Sequence, residues 1–180
     1  VRGGQDTNNI SGFSLESLFT AINLENCTNC MIRDCTALGG RGLRLAHGIA
    51  IIRSSHCTVQ NSILLAQQTD ISHGIHITSI TSSQNVVNNC IAQGGNEPDV
   101  GQPNILNGNG INLHEGPGAL GSPSKTVVSD CLIIRTFPTR STTVPGLYIG
   151  YSNAILDTGT ESSVQNNFAY NIANTVHDYF

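Results

Sequence analysis

Tryptophan is absent from this 180-residue chain, and methionine and lysine each occur once. Charged residues make up 11% of the sequence, with a formal net charge of -4. A nucleic-acid partner would need a basic stripe, so this balance argues against one. The sequence also has no apolar run that approaches the length of a membrane span. Because Lys and Glu are scarce while β-branched residues alternate with turn formers, the composition favours β structure.

The chain contains six cysteines, an even number that is compatible with disulfides. Two spacings resemble metal motifs, Cys27-x-x-Cys30 and His73-x-x-His76, but the cysteine pair has no second pair at zinc-site spacing. We predict no metal and no other cofactor, and we interpret most cysteines as reduced, buried thiols that pack as small apolar groups. A disulfide between Cys30 and Cys57 stays open as an alternative. The full set is Cys27, Cys30, Cys35, Cys57, Cys90 and Cys131.

A repeated pattern organises the sequence. HGIAIIRSSHCTVQNSILLAQ begins at His47, and HGIHITSITSSQNVVNNCIAQGG begins at His73. Five copies of an aliphatic-x-aliphatic unit start at Ile22, Ile49, Ile75, Ile111 and Leu147. The residues directly before them are Ala21, Gly48, Gly74, Gly110 and Gly146. A second aliphatic position follows at Ile32, Val59, Val87, Val128 and Val164. Two residues later come Asp34, Asn61, Asn89, Asp130 and Asn166.

A repeat of short alternating strands and polar turns, with a period in the twenties, predicts a solenoid of stacked β coils. Equivalent residues on adjacent coils lie about 4.8 Å apart. We therefore expect the five first aliphatic residues to form one buried column. Asn or Asp at the later position predicts a tight bend with a left-handed backbone. His47 and His73 precede glycine at another corner, which indicates a role in a turn.

Over about residues 10 to 170, this pattern resembles the right-handed parallel β-helix of the pectin-lyase-like superfamily. The predicted fold is all-β, a single domain over residues 1–180 with about five to six coils. Ile10 would match Val59, so residues 1–9 are expected to be an irregular start or cap, and 171–180 a C-terminal cap or tail. We expect this domain to be part of a longer protein. Insertions are predicted at 96–109, 115–125, 137–145 and 151–162.

The resemblance implies that a sugar chain would lie along the outer face of the first strand of each coil. One outward column is Asn23, Ala50, His76, Asn112 and Tyr148, and the next is Glu25, Ile52, Thr78, His114 and Gly150. These columns hold one carboxylate and no arginine. They therefore disfavour glycoside hydrolysis by paired carboxylates and the calcium-dependent chemistry of pectate lyases.

Elimination or epimerisation at a uronic acid is compatible with this face, since Asn, His and Tyr can neutralise the carboxylate and act as base and acid. The candidate catalytic residues are His76, Asn112, His114 and Tyr148. The candidate ligand-binding residues are Tyr148, Glu115 and Thr78. Residues 112–115 (Asn-Leu-His-Glu) are similar to the Asp-Pro-His-Glu motif of mannuronan epimerases, although Asn replaces Asp and Leu replaces Pro. Such side chains are also ordinary on a polar sheet face.

The sequence thus favours a structural or glycan-binding β-helix domain of a surface, phage-like or secreted protein. The alternative is a polysaccharide lyase or uronate epimerase, so whether the protein is an enzyme stays open. The predicted partners are a polysaccharide or glycan, further copies of the chain, or neighbouring domains of a parent protein, at an extracellular, cell-surface or virion-surface location. Both functions require an exposed face on which His76 lies beside Asn112, and Asn112 beside Tyr148, with the insertions at its rim.

Overall fold

The computed structural model describes residues 2–4, 9–12, 14–16, 20–39, 47–66, 73–94, 109–114, 121–136, 153–172 and 174–178. These residues form three sheets in which every strand pair is parallel. Strands are numbered along the chain.

The first sheet contains β1 (Arg2–Gly4), β4 (Ile22–Cys27), β7 (Ile49–Ile52), β10 (Ile75–Thr78), β13 (Ile111–Leu113), β16 (Asn153–Asp157) and β19 (Asn174–Asp178). The second contains β2 (Asn9–Ser11), β5 (Met31–Arg33), β8 (Thr58–Gln60), β11 (Val86–Asn88), β14 (Val127–Ser129) and β17 (Ser163–Gln165). The third contains β3 (Ser14–Glu16), β6 (Thr36–Gly39), β9 (Ile63–Ala66), β12 (Ile91–Gln93), β15 (Leu132–Thr136) and β18 (Phe168–Ile172).

Each strand pairs with the equivalent strand of the coil before and after it, so the chain is a parallel β-helix. The predicted all-β solenoid is therefore confirmed. Six coils from β1–β3 to β16–β18 have a strand in all three sheets, and β19 adds a further strand to the first sheet. Within the expected irregular start or cap at residues 1–9, Arg2–Gly4 form β1, which pairs with β4, and Asn9 begins β2; the other positions lie outside the described residues. Residues 174–178 of the predicted tail form β19, which pairs with β16.

The first aliphatic column is confirmed for four coils and wrong for the fifth. Ile22, Ile49, Ile75 and Ile111 are successive partners across the first sheet. Ile111 then pairs with Ile155 and not with Leu147. The predicted insertion at 151–162 accordingly contains a core strand, β16, and Ala154 takes the place that we assigned to Gly146.

Two further columns complete the core. The predicted second aliphatic series pairs throughout the second sheet, and Ile10 joins it through Ile32, as expected. The third sheet contributes small and large side chains in alternation, which lets them fill the narrow interior. This third column is Ala37, Leu64, Ala92, Ile133 and Ala169.

Left-handed backbone makes the bend between the second and third sheets. This bend is two residues long in all five coils from β5 onward, and its first residue has φ between 50° and 55°. The predicted Asn/Asp role is thereby confirmed for Asp34, Asn61, Asn89, Asp130 and Asn166. Before the second sheet lies a similar bend with φ of 51° to 57°, which sequence reasoning missed because its residue types vary. Its members are Asn29, His56, Gln84, Lys125 and Glu161.

The repeated glycines permit a close approach between backbones. A Cβ atom on Gly74 would lie 2.7 Å from the Gly110 oxygen and 2.8 Å from the Leu64 oxygen. A Cβ atom on Gly48 would lie 2.6 Å from the Gly74 oxygen. Both corners are too tight for any side chain, whereas neither glycine is left-handed.

All six cysteines are buried and free, which confirms the predicted reduced thiols and excludes the alternative disulfide between Cys30 and Cys57 in this structure. Cys57 lies next to Cys30, and burial raises the pKa of the Cys57 thiol to about 11. A hydrogen bond with Cys131, followed by burial, raises the pKa of the Cys90 thiol. These thiols therefore pack as small core groups, and their hydrogen-bond acceptors are backbone oxygens nearby.

Candidate functional site

The predicted binding face is closed over the middle coils. His76 is 5% exposed, Asn112 3% and Thr78 2%, and Ala50 on the preceding coil is equally buried. The expectation of an exposed face is therefore wrong for these residues, although His76 and Asn112 are neighbours as predicted. Outward orientation on a sheet does not guarantee contact with water when further material lies over the sheet.

The remaining candidates are distributed differently. Asn112 pairs with Leu156, so the predicted neighbour relation with Tyr148 is wrong. Tyr148 and Glu115 lie outside the described residues, as do the predicted insertion at 137–145, residues 96–108 of the one at 96–109 and residues 115–120 of the one at 115–125. His114 is half-buried at the end of β13.

A cluster of three buried histidines adjoins this face. We define the histidine cluster as His47, His73 and His76. The rings of His47 and His73 stack with their centroids 5.1 Å apart and an interplanar angle of 4°. The His76 ring stands nearly perpendicular to both, at centroid distances of 4.7 Å and 5.1 Å.

Side chains and backbone amides form a ladder where each coil enters the first sheet. Thr20 Oγ1 accepts a hydrogen bond from the His47 amide, at 3.3 Å. His47 Nδ1 accepts from the His73 amide at 3.2 Å, and His73 Nδ1 accepts from the Asn109 amide at 3.0 Å. Each acceptor side chain thus binds the equivalent amide of the next coil. This arrangement explains why histidine repeats before glycine. It agrees with the predicted role in a turn, because each of these side chains holds the backbone of the next coil at the corner.

These bonds fix the tautomers of the neutral rings. Because Nδ1 of His47 accepts a hydrogen bond from the His73 amide, its Nε2 carries the hydrogen and donates to Nδ1 of His76 at 3.1 Å. The hydrogen of His76 therefore lies on Nε2, which is buried and has no hydrogen-bond partner within 3.5 Å among the described residues. Thr78 Oγ1, two residues further along the same strand, is likewise buried without a partner in the described part of the chain.

The cluster has the residue types of a metal site, since one ring nitrogen from each histidine lies within 4.8 Å of the others. A neutral histidine that binds a metal through Nε2 must carry its hydrogen on Nδ1. In His47 and His73 that Nδ1 position faces a backbone N–H group. The donor set therefore does not fit a metal without loss of two bonds of the ladder.

Burial keeps the three rings neutral. It lowers the pKa of His76 to about 4, partly offset by the nearby His114 backbone. Burial, followed by the neighbouring histidines, also holds the pKa values of His47 and His73 well below the ordinary range. A charged imidazole in this environment would lose its hydration without gaining a carboxylate partner from the described residues.

A second polar group lies beyond the end of β13. His114 Nδ1 is 2.8 Å from Thr158 Oγ1, which is in turn 2.8 Å from Ser122 Oγ. Thr158 Oγ1 also lies 3.3 Å from the Leu113 carbonyl oxygen. The alignment missed Thr158 and Ser122, because Thr158 becomes the neighbour of His114 only when Ile155 is placed beside Ile111.

Comparisons with known proteins do not indicate a function for this chain. No protein-family model and no curated protein matches the chain. A solved structure, an alginate lyase from Paenibacillus sp. str. FPU-7, matches with a TM-score of 0.44 and 13% sequence identity. The match covers 88% of this chain and 57% of the lyase, so the chain spans little more than half of that protein. Similarity at this level carries no argument about activity. The described residues include no helix with the length and apolarity needed to cross a membrane.

Proposed function

We propose that this chain is a structural β-helix segment of a larger surface or secreted protein, related to the pectin-lyase-like superfamily. The observation that carries this proposal is the burial of His76, Asn112 and Thr78 on the outer face of the first sheet. A groove that binds a sugar chain must present its polar groups to solvent. Here the same groups are buried, and His76 bonds to the ring of His47, which itself bonds to the backbone of the next coil.

A structural role also accounts for the continuity of the polar ladders. Ser54 Oγ accepts from the Cys27 amide at 3.0 Å, and Ser82 Oγ accepts from the Ser54 amide at 3.2 Å. Asn85 Oδ1 accepts from the Cys57 amide at 3.0 Å. Serine and asparagine side chains thus join one coil to the next at other corners, as His47 and His73 do where the coils enter the first sheet.

The test compares His76→Asn with His56→Asn. His56 is exposed and occupies a left-handed bend where Asn is well tolerated, so it serves as the matched control. We expect His76→Asn to lower the melting temperature more than His56→Asn does. Neither the unmodified chain nor either variant should release unsaturated uronates from pectate or alginate, as measured by ultraviolet absorbance. Product formation that His76→Asn abolishes at an unchanged melting temperature would overturn the structural proposal.

A second candidate is the polysaccharide lyase or uronate epimerase, with His76, Asn112, His114 and Tyr148 as catalytic residues. Tyr148, Glu115 and Thr78 would contact the substrate. The observation that favours it is the hydrogen-bonded series His114, Thr158 and Ser122, which holds a half-buried imidazole in one orientation. An oriented neutral imidazole is the group that abstracts an acidified C–H proton.

Thr158→Val tests this second candidate, because it removes the oxygen beside His114 and preserves the side-chain shape. An enzyme would lose turnover on an acidic polysaccharide by about tenfold or more through this misorientation. Its activity would also rise with pH across the acid range, as a histidine base requires. Absence of turnover in the parent chain on polyuronates excludes the candidate for those substrates.

A further inference from the structure

We propose that the histidine cluster is an acid-sensitive latch, in which protonation of the rings breaks the ladder that joins consecutive coils. The latch lies where the segments that follow the third sheet enter the first sheet. This regulatory role goes beyond the structural function, because a purely structural corner needs no response to pH.

The hydrogen-bond geometry leaves no place for an added proton. Each of the three Nδ1 atoms already accepts a hydrogen bond: from the His73 amide, from the Asn109 amide and from His47 Nε2. Each Nε2 carries the hydrogen in the neutral ring. A proton added to any ring must therefore go onto an Nδ1 that faces an N–H group at 3.0 to 3.2 Å. That contact then changes from attractive to repulsive, and the corner must open.

No described charged group compensates the charge. The titratable groups that influence the three rings are the rings themselves and the His114 ring, all of which oppose protonation, whereas the His114 and Asn109 backbones favour it less than burial opposes it. On the preceding coil, Glu25 is paired with Arg53 at 3.0 Å. On the coil beyond β13, Asp157 Oδ1 accepts a hydrogen bond from the Gly159 amide at 2.8 Å. Asn109 and Asn112, which come from the fourth sequence copy, carry no charge.

The position of the ladder indicates what the latch controls. His47, His73 and Asn109 lie two residues before β7, β10 and β13, respectively. The ladder therefore fixes the backbone where these three strands begin. Acid should loosen these strand starts locally, while the second sheet, whose strands contain no histidine, remains paired.

Amide hydrogen exchange followed by NMR tests the proposal at pH 7.5 and pH 5.0, after correction for intrinsic exchange rates. With an ordinary histidine pKa of 6.5 and a folded value of about 4 for His76, one ring favours the open state about 30-fold more at pH 5. We expect the His73 and Asn109 amides to exchange faster by about this factor or more. The reference amides are those of Val86 and Val127 in the second sheet, which donate to the carbonyl oxygens of Cys57 and Asn85.

The next coil has asparagine, which does not titrate, at two of the three histidine positions. Asn109 and Asn112 occupy the positions of His73 and His76 on the next coil, and Asn109 Nδ2 donates to Asn112 Oδ1 at 3.0 Å. The variant H47N/H73N/H76N should therefore retain the corner and lose the acid response, so that its exchange changes by less than about twofold. Equal acid acceleration in this variant and in the parent chain would refute the latch, as would unchanged protection of the His73 and Asn109 amides at pH 5.

If the triple variant fails to fold, imidazole NMR of the parent chain decides the question. All three rings should stay neutral at pH 6 and titrate together with the loss of amide protection at lower pH. A ring that becomes protonated near its ordinary pKa while the His73 and Asn109 amides stay protected would show that the ladder tolerates the charge. That result would overturn the proposal and leave the structural function intact.

Discussion

Replacement of Gly74 by alanine tests the close stacking of the coils most directly. The new Cβ atom would lie 2.7 Å from the Gly110 oxygen, 2.8 Å from the Leu64 oxygen and 3.0 Å from the Gln93 nitrogen. All three atoms belong to backbone that is held in place by its own strand or corner. The methyl group therefore cannot be accommodated by rotation of a side chain, and the first and third sheets must separate.

Overpacking of a rigid interior costs about 1–3 kcal/mol, and more where the neighbours cannot relax. Because Gly74→Ala meets backbone on two sides, we expect a loss of about 3 kcal/mol in the free energy of unfolding. For a chain of this length, that loss lowers the melting temperature by about 6–12 °C. Urea unfolding followed by circular dichroism should show a lower midpoint with a similar slope.

Gly12→Ala is the matched control for the same chemical change. Gly12 has φ of 70°, and a Cβ atom there would meet nothing within 4 Å. Its replacement should cost about 1–2 kcal/mol, the strain of a left-handed alanine. If Gly74→Ala destabilises the protein no more than Gly12→Ala does, the backbones do not approach as closely as the structure indicates, and the explanation of the repeated glycine is wrong.

Three further predictions concern acid, thiols and the bends. The pKa of an unfolded histidine is about 6.5, whereas burial lowers the pKa of folded His76 to about 4. The free energy of unfolding, measured with urea, should therefore be highest above about pH 6.5 and fall at lower pH. At pH 5, His76 alone should lower it by about 2 kcal/mol. A pH-independent midpoint would contradict this expectation. All six cysteines are buried, and the pKa of the Cys57 thiol is raised to about 11. A thiol reagent at pH 7.5 should therefore label the native protein slowly and the unfolded protein fast. Rapid labelling of four or more thiols in the native protein would contradict the buried packing of these side chains. Asn89 has φ of 50° and donates to Asn61 at 2.9 Å, so Asn89→Ala should cost about 1–2 kcal/mol and Asn89→Gly less, with the reverse order arguing against a left-handed bend.

The sequence was sufficient to predict the coils wherever the repeat is compact. Inward positions are selected by the core alone, so Ile49 and Ile75 recur with nearly constant spacing and pair as expected. The prediction for the fifth coil was wrong for a physical reason. Its inward pattern continues from Ile155 to Asp157, and the carboxylate stands opposite Leu113 where the pattern demands an aliphatic residue. Leu147 and Ile149 match that pattern better but are not the residues that pair.

Prediction of the candidate site was limited by a different kind of information. Alternation along a strand gives the side on which His76 lies, but it does not tell whether anything covers that side. The roles of His47 and His73 depend on bonds to amides 26 and 36 residues away, which no local pattern specifies. The recurrence of histidine before glycine did indicate a corner, and the chemistry of that corner became visible only when the coils were stacked.

The constant two-residue bend between the second and third sheets has a consequence for how such a chain can vary and be redesigned. That bend sets the phase of every coil, since one residue more or less would turn the following strand inside out. Between the third sheet and the next first-sheet strand, in contrast, the connections contain 8 residues between β9 and β10 but 17 between β12 and β13, with no shift in pairing. The connection between the first and second sheets varies as well, from 5 residues between β7 and β8 to 13 between β13 and β14, again with no shift in pairing. Length differences are therefore absorbed at these two edges and not at the two-residue bend, and a foreign peptide grafted at either edge should leave the register of all three sheets unchanged.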